Sequence, residues 1–563
     1  MRSIAILALC VAACTPSRNG SGPGDDDGSG SATCPVCSPD KSAVIDCDGN
    51  ATACNPDETC ADGVCMNGCL AAETNHESVG CEYYAVDMDA ASGPPQDACY
   101  TVFVANTSRG RTHIDVEWNG MPIDLSKYAK LPTGTGTSLT YQPYDPSAGL
   151  APNEVAILFL AYAPPAIPLM PNVDCPVPAA IGTDAQISGN GFGHAFHINT
   201  DLPVVAYQML PFGGGRAAAT GASLLLPTSA WSNSYVAVEA YDTMAPPIPI
   251  AMGPSFNIVA MEDATTITMR PMANVQGGGG LTPGPAGMPY NVTLAKGQYA
   301  QFTEAAPLSG TPIQSDKPVG VFGGNQIMSI DRCCGDHGEQ MLAPSQALGD
   351  EYVMAPHGER KPGSDPRVFR IYGSVDGTQL TYDPPNLGAS SLGLGGFVEI
   401  RSETPFVVKS QDPDHPISVF TYMTGAGDQG EGGWGDADFV RLVPPAQYLS
   451  HYVFFTDVTY PFTVLTVVRT KKNGAFADVN LDCLGGPITG WQPVGDYEIT
   501  YVKLVDHWNP QNGCNNGVHT MDSPAPFGVW VWGWGSEDTD TGWVSYGYPA
   551  GEGVIPINNV VLE

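Results

Sequence analysis

The chain has 563 residues and a net charge of −35, from Lys+Arg 23 against Asp+Glu 58. So acidic a surface argues against nucleic-acid binding, which needs a basic face, and against docking on anionic lipid by charge. Hydrophobic content of 43% supplies several cores, so Gly 66 and Pro 51, together about a fifth of the chain, mark many turns and not disorder.

Residues 1–14 read as an export signal, with Arg2 as the positive end and Ile4–Val11 as an apolar core too short to span a bilayer. Leu9-Cys10-Val11-Ala12-Ala13-Cys14 resembles the bacterial lipoprotein signal, in which small residues precede a cysteine that is acylated and becomes the mature N-terminus. That resemblance implies lipidation, palmitate included, at Cys14, and Thr15 after it implies the outer membrane or cell surface. The rival is an ordinary secretory cut after Ala13. No other apolar run reaches 18 residues, so lipid is the only membrane anchor expected. Residues 15–33, rich in Gly, Ser and Asp, read as a disordered tether.

Residues 34–79 form a cysteine-rich module with Cys34, Cys37, Cys47, Cys54, Cys60, Cys65 and Cys69. Behind an export signal, a disulfide scaffold is favoured over zinc. Setting aside Cys10 and Cys14 leaves fourteen of the 16 cysteines, an even number. The odd seventh of the module is expected to pair with Cys81, Cys99 or Cys175; Cys483 and Cys514 can close a loop. Cys333 and Cys334 are adjacent and either bond to each other or pair with distant partners.

Residues 80–563 are dominated by a repeat. Asp201-Leu202-Pro203-Val204-Val205, Asp316-Lys317-Pro318-Val319-Gly320, Asp414-His415-Pro416-Ile417-Ser418 and the looser Ser523-Pro524-Ala525-Pro526-Phe527 share one pattern. Their prolines stand 115, 98 and 110 residues apart. Each is read as a turn closed by the Asp side chain, with Pro at the first position of a strand. Leu226-Pro227, Ala343-Pro344 and Val443-Pro444 follow by 24, 26 and 28 residues, and Tyr235-Val236, Tyr352-Val353 and Tyr452-Val453 come eight residues later. The spacing predicts four units, about 83–227, 235–344, 352–444 and 452–549, with Tyr84-Ala85-Val86 opening the first. Short runs rich in Val, Ile, Thr and aromatics, such as Thr265–Met269, Val368–Gly373 and Phe462–Arg469, predict strands, and no segment shows a helical period over three turns. The fold expected is all-β, a propeller-like toroid of four tandem repeats of about 100 residues, with tandem β-sandwiches as the alternative. Long loops after each proline strand (211–223, 323–341 and 424–439) are expected on one face, the predicted binding surface.

Gly80-Cys81-Glu82-Tyr83-Tyr84-Ala85-Val86-Asp87-Met88-Asp89, Cys333-Cys334-Gly335-Asp336-His337-Gly338-Glu339-Gln340, Gly435-Asp436-Ala437-Asp438-Phe439-Val440, Tyr452–Asp457 and Gly528–Gly551, read with the Asp-x-Pro units, resemble the N-terminal domain family of IgGFc-binding proteins over about residues 80–551. The resemblance implies a binding domain, supplies no catalytic residues, and is similar to bacterial surface lipoproteins in its lipidation signal and cysteine module.

Three groups are weighed for chemistry. Asp331, Asp336, His337 and Glu339 can hold Ca²⁺ or form a solvated acidic loop; no other cofactor is expected. Ser536–Gly542, and Asp428, Asp436 and Asp438, are read as turn chemistry. Trp530, Trp532 and Trp534 alternate along one strand and share a face, either a platform for sugar rings or the core of the last unit, with burial favoured. No Gly-x-Ser-x-Gly elbow, His-Glu-x-x-His helix or phosphate loop is present, so catalysis finds no motif. The reading is a non-enzymatic, lipid-anchored surface protein that binds a protein or glycan; the alternatives are a lectin or glycosidase, and a structural envelope component.

Overall fold

The computed structural model describes residues 34–90, 98–163, 174–183, 185–214, 217–241, 253–330, 334–361, 365, 367–429, 433–542 and 544–562. The described chain is almost entirely β. The expected lipidation site Cys14 and the tether lie outside the described residues.

The cysteine module is a three-stranded sheet (Val36–Cys37, Ala43–Ile45, Ala51–Ala53) and a hairpin (Glu58–Ala61 with Val64–Asn67). So few strands bury little apolar surface, and disulfides supply the constraint. Cys34–Cys47, Cys37–Cys60 and Cys54–Cys65 close the module on itself, while Cys69–Cys81 ties it to the first repeat. Of the three partners expected for the odd cysteine, the structure selects Cys81, leaving Cys99 to bond Cys175. A helix, Gly68–Asn75, links module and repeat. Asn67 caps it by accepting from the amides of Cys69 and Leu70. It escapes a periodicity search because it is two turns long and buries only Gly68, Ala71 and Ala72.

From residue 80 four successive stretches share a pattern of strand pairing, continuous in the first, second and fourth and interrupted in the third. A corner strand in each copy pairs along its first half with the copy's first strand and along its second half with its second and inner strands. The corner strands are Phe196–Leu210, Pro312–Met328, the interrupted pair Phe406–Lys409 and Ile417–Met423, and Gly517–Trp534. The first strands are Gly80–Ala85, Ser232–Val236, Glu351–Met354 and Leu449–Thr456. The second strands are Tyr100–Asn106, Pro254–Ala260, Arg367–Gly373 and Phe462–Arg469. The inner strands are Gly221–Leu225, Asp336–Met341, Asp438–Arg441 and Ser545–Pro549. In copies one, two and four these strands belong to one sheet turned on itself at the corner, while copy three breaks into separate sheets where its corner strand is interrupted.

The repeated proline marks that corner. Pro203, Pro318 and Pro526 lie inside long strands, not at their first positions as expected. They are tolerated there because pairing shifts register around them, between Asn199 and Val204 in copy one and between the partners of Gln314 and Val319 in copy two. Only Pro416 immediately precedes a strand. The expected Asp turn is also replaced: Asp201 and Asp316 use their carboxylates to accept the amides of His113 and Thr266, at or beside the third strands Ile114–Trp118 and Thr265–Met269.

The constant step from proline to tyrosine has a local cause. Pro227, Pro344 and Pro444 each precede a single 3₁₀ turn that leads into the next first strand. Three residues ahead of each tyrosine, the amides of Ser232, Gly349 and Leu449 donate to the hydroxyls of Tyr235, Tyr352 and Tyr452 at 3.1, 3.1 and 3.0 Å. In copy one this place belongs to Tyr83, which faces the Gly80 backbone, and not to Tyr84.

The four inner strands are buried along their whole length. They touch in a closed cycle, copy one to two, two to three, three to four and four to one. Gln340 of copy two reaches across it, donating to the carbonyls of Ala222 in copy one and Gly547 in copy four. Apolar cores run across the copy boundaries, one shared by copies one and four and another by copies three and four. Trp530, Trp532 and Trp534 are 1%, 0% and 1% exposed in the latter, so they are core and form no sugar platform.

Candidate functional site at the ring centre

The inner strands bring ionisable side chains to the middle of the ring. On Asp336–Met341, Asp336, His337 and Glu339 are all 0% exposed. The solvated-loop reading of these three is therefore replaced by a buried strand; Asp331 and Cys333 lie outside the described residues. Cys334 is disulfide-bonded. From copy three come Asp436 and Asp438, also 0% exposed, which sequence reading assigned to turn chemistry. The side chain of Asp428 lies outside the described residues.

The repeat held the missing signal. Phe322 and Phe420, four residues past their corner prolines, pair with Met341 and Arg441. Counting five residues back from those partners reaches Asp336 and Asp436, each preceded by glycine. The two acids are thus equivalent positions of neighbouring copies. Copy four adds Ser545, whose Oγ lies 2.8 Å from Asp336 Oδ2 and 3.1 Å from the Asp436 carbonyl. With Asp336 protonated, Ser545 accepts from the acid and donates to the Asp436 carbonyl, which satisfies both contacts.

Electrostatics agree. Burial, then repulsion from Asp436 and Asp438, holds the Asp336 carboxyl well above the usual carboxylate range. Burial pushes Asp436 up to about 7, opposed by the amides of Ala426 and Ala437 and by Arg360. Burial likewise raises Asp438 and Glu339, although Gln208 donates to one oxygen of Glu339. It lowers His337 to about 4, because the neutral ring is the form a dry site favours.

The segments joining corner and inner strands lie beside this centre and interlock. The amide of His337 donates to Ala219 O, that of Gly435 to Gly535 O, and Thr220 Oγ1 donates to Ser545 O. Glycine allows the close approach at Gly435, where a side chain would meet Trp534 at 2.9 Å and the backbone holds φ +66°. In the copy-three segment, half-buried Trp434 stacks on Phe462 of copy four, ring centres 4.7 Å apart, and meets the edge of His507. Gln429 braces it by donating to its carbonyl. Trp434 was not singled out in the sequence.

Two other places gather side chains capable of chemistry. Among the described residues, one trio of ligand-type atoms comes within 4.8 Å, that of Asp482, Cys483 and His519. The Cys483 sulfur is bonded to Cys514, so it is not free to ligate. A cleft of about 440 Å³ lies between the cysteine module, copy one and copy four, lined among others by Lys41, Glu58, Arg109, Pro203 and His451.

A family model described as IgGFc binding protein matches residues 221–533, more than half of the chain and narrower than the resemblance over residues 80–551. The human IgGFc-binding protein is 24% identical over 355 residues, which cover 62% of this chain and 6% of that protein. The chain thus spans a small part of that relative's length. On the matching family model, this chain belongs to the IgGFc-binding protein family.

Proposed function

We propose that the chain is a non-enzymatic binding protein, held at a cell surface by lipid on Cys14, whose ring presents the segments beside its inner strands to a protein partner. The single observation that carries this is the bonding of the copy-one, copy-three and copy-four segments to one another and to neighbouring inner strands, through Ala219, His337, Gly435, Gly535, Thr220 and Ser545. That face exposes part of Trp434, a residue type that anchors protein interfaces. Membership of a family named for binding supports a binding role over catalysis. The name of the human relative makes immunoglobulin Fc the first probe. Burial of Trp530, Trp532 and Trp534 removes the feature that favoured a lectin. The bacterial lipoprotein signal around Cys14 supports an outer-membrane or surface address.

The test is capture by the exported chain. Saturable binding of Fc, or of another protein from a panel of extracellular proteins, with a silent glycan array, is the expected result. Strong glycan binding with no protein binding overturns the reading. For the anchor, Cys14→Ser is expected to move the chain from the membrane to the soluble fraction; an unchanged distribution contradicts it.

A further inference from the structure

The first strand of copy four, Leu449–Thr456, is paired along one edge only, by the corner strand Gly517–Trp534. On its far side the corner strand meets Asn480–Leu481. There the amide of Asp482 donates to Thr520 O, and that of Thr520 to Asp482 Oδ2. In an antiparallel ladder the backbone groups of successive residues point to opposite neighbours. With Thr520 turned toward Asp482, His519 and Met521 turn toward Phe454 and Tyr452, their register partners. His451 and Val453 therefore point their N–H and C=O groups away from the corner strand. Among the described residues those groups have no hydrogen-bond partner, although Val453 is only 8% exposed. Buried backbone groups are rarely left so.

This free edge lines the cleft of about 440 Å³ beside the cysteine module, a volume within the range of ligand sites. Asp57 and Glu58 line the same cleft, and among the described residues no Lys or Arg side chain pairs with their carboxylates. The nearby cations are committed elsewhere. Lys41 pairs with Glu77, Arg109 donates to the carbonyls of Asn55 and Glu58, and His451 Nδ1 lies 2.6 Å from Asp522 Oδ1.

We propose that this cleft takes an extended, Lys- or Arg-bearing peptide segment of a partner protein, which adds as a strand to the free edge at His451 and Val453. Main-chain bonds to these two residues hold the segment whatever its sequence, and the uncompensated carboxylates of Asp57 and Glu58 select basic side chains. Residues 15–33 of this chain are a poor occupant, since they contain no Val, Ile or aromatic residue and are themselves acidic. A second copy is disfavoured by the net charge of −35, which sets like rims against each other. Trp434 does not line the cleft, so this site stands apart from the binding face described above.

The test selects a displayed library of random twelve-residue peptides on the full mature chain, then measures synthetic copies of the enriched peptides by fluorescence anisotropy and hydrogen exchange. Enrichment of Lys and Arg is expected, with binding that weakens at least about threefold between about 50 and 200 mM salt. Exchange across Leu449–Thr456 is expected to slow. Of two peptides N-methylated on alternate residues, the one whose edge-facing amides are blocked is expected to bind at least about tenfold more weakly, and the other as before. Val453→Pro removes a donor that no ladder bond uses and is expected to fold and to lose binding, whereas Trp434→Ala retains it. No enrichment of basic peptides, equal binding of the two methylated peptides, or unchanged exchange across Leu449–Thr456 overturns the proposal. So does full binding by folded Val453→Pro. Should that variant fail to fold, the methylated pair on the wild type decides.

Discussion

Arg441 and Glu552 form a buried two-pronged ion pair, 3% and 2% exposed, with Nη1 2.7 Å from Oε2. Arg441 stands on the inner strand of copy three, and Glu552 follows the last strand of copy four. The backbone of Glu552 also pairs with Ser78, just ahead of copy one: Ser78 N donates to Glu552 O, and Glu552 N to Ser78 Oγ. The same C-terminal strap continues through Val554 to His76 and through Ile557 to Gln346. The strap after copy four thereby joins copy three to the stretch just ahead of copy one, and the Arg441–Glu552 pair is its charged contact in a dry interior.

Breaking that contact by Glu552→Ala leaves a buried guanidinium and is expected to destabilise the head by about 3–5 kcal/mol. The double change Arg441→Met with Glu552→Leu removes both charges and is expected to recover most of the loss. Equilibrium denaturant unfolding checks both. Equal destabilisation by the single and double variants contradicts the account.

The central acids set the pH response. Their folded pKa values are raised, so between the unfolded value near 4 and the folded value the native state holds extra protons, and stability falls as pH rises through that window. Asp336, Asp438, Glu339, Asp436 (about 7) and Asp457 (about 6) act this way. His337 (about 4) and His357 (about 3) act oppositely, losing stability as pH falls below the unfolded histidine value. Five acids outnumber two histidines. Above pH 6.5 the histidines are neutral in both states and oppose nothing. The protein is therefore expected to be more stable near pH 5 than near pH 7.5, by about 1.4 kcal/mol per pH unit for each extra proton held. Asp436→Asn is expected to flatten the fall between about pH 4 and 7. Chemical unfolding across pH measures it, and a stability that rises toward neutral pH contradicts it.

Gly323 lies in the corner strand of copy two, and a Cβ there would stand 1.7 Å from the carbonyl oxygen of Val238. Backbone cannot yield as a side-chain end can. Gly323→Ala is expected to cost about 3 kcal/mol or more, while exposed Gly485→Ala, which meets nothing within 4 Å, is expected to stay within about 0.5 kcal/mol. Thermal unfolding of the two variants separates them.

The sequence showed the repeat because local chemistry enforces it. A proline at each corner, a 3₁₀ turn behind each second proline, and a tyrosine accepting an amide three residues back leave marks that survive divergence elsewhere. The exact position of the corner did not show, because register shift is a property of two strands and not of one. Asp336, His337 and Glu339 were legible as a cluster but not as a buried strand. Charged residues signal surface in a single sequence, and only the meeting of four copies makes that stretch interior. Asp436 and Asp438 could have been joined to them by aligning the copies. Trp434 could not, since its place beside Phe462 and His507 depends on how copies three and four pack.

The proposed binding face lies beside the ring centre, around Trp434. Binding of the captured partner, Fc in the first instance, should be compared for wild type, Trp434→Ala beside the ring centre and Arg109→Ala in the cleft by the cysteine module. The account predicts that Trp434→Ala weakens binding by at least about tenfold and Arg109→Ala leaves it unchanged. Loss of binding with Arg109→Ala and full binding with Trp434→Ala would contradict it.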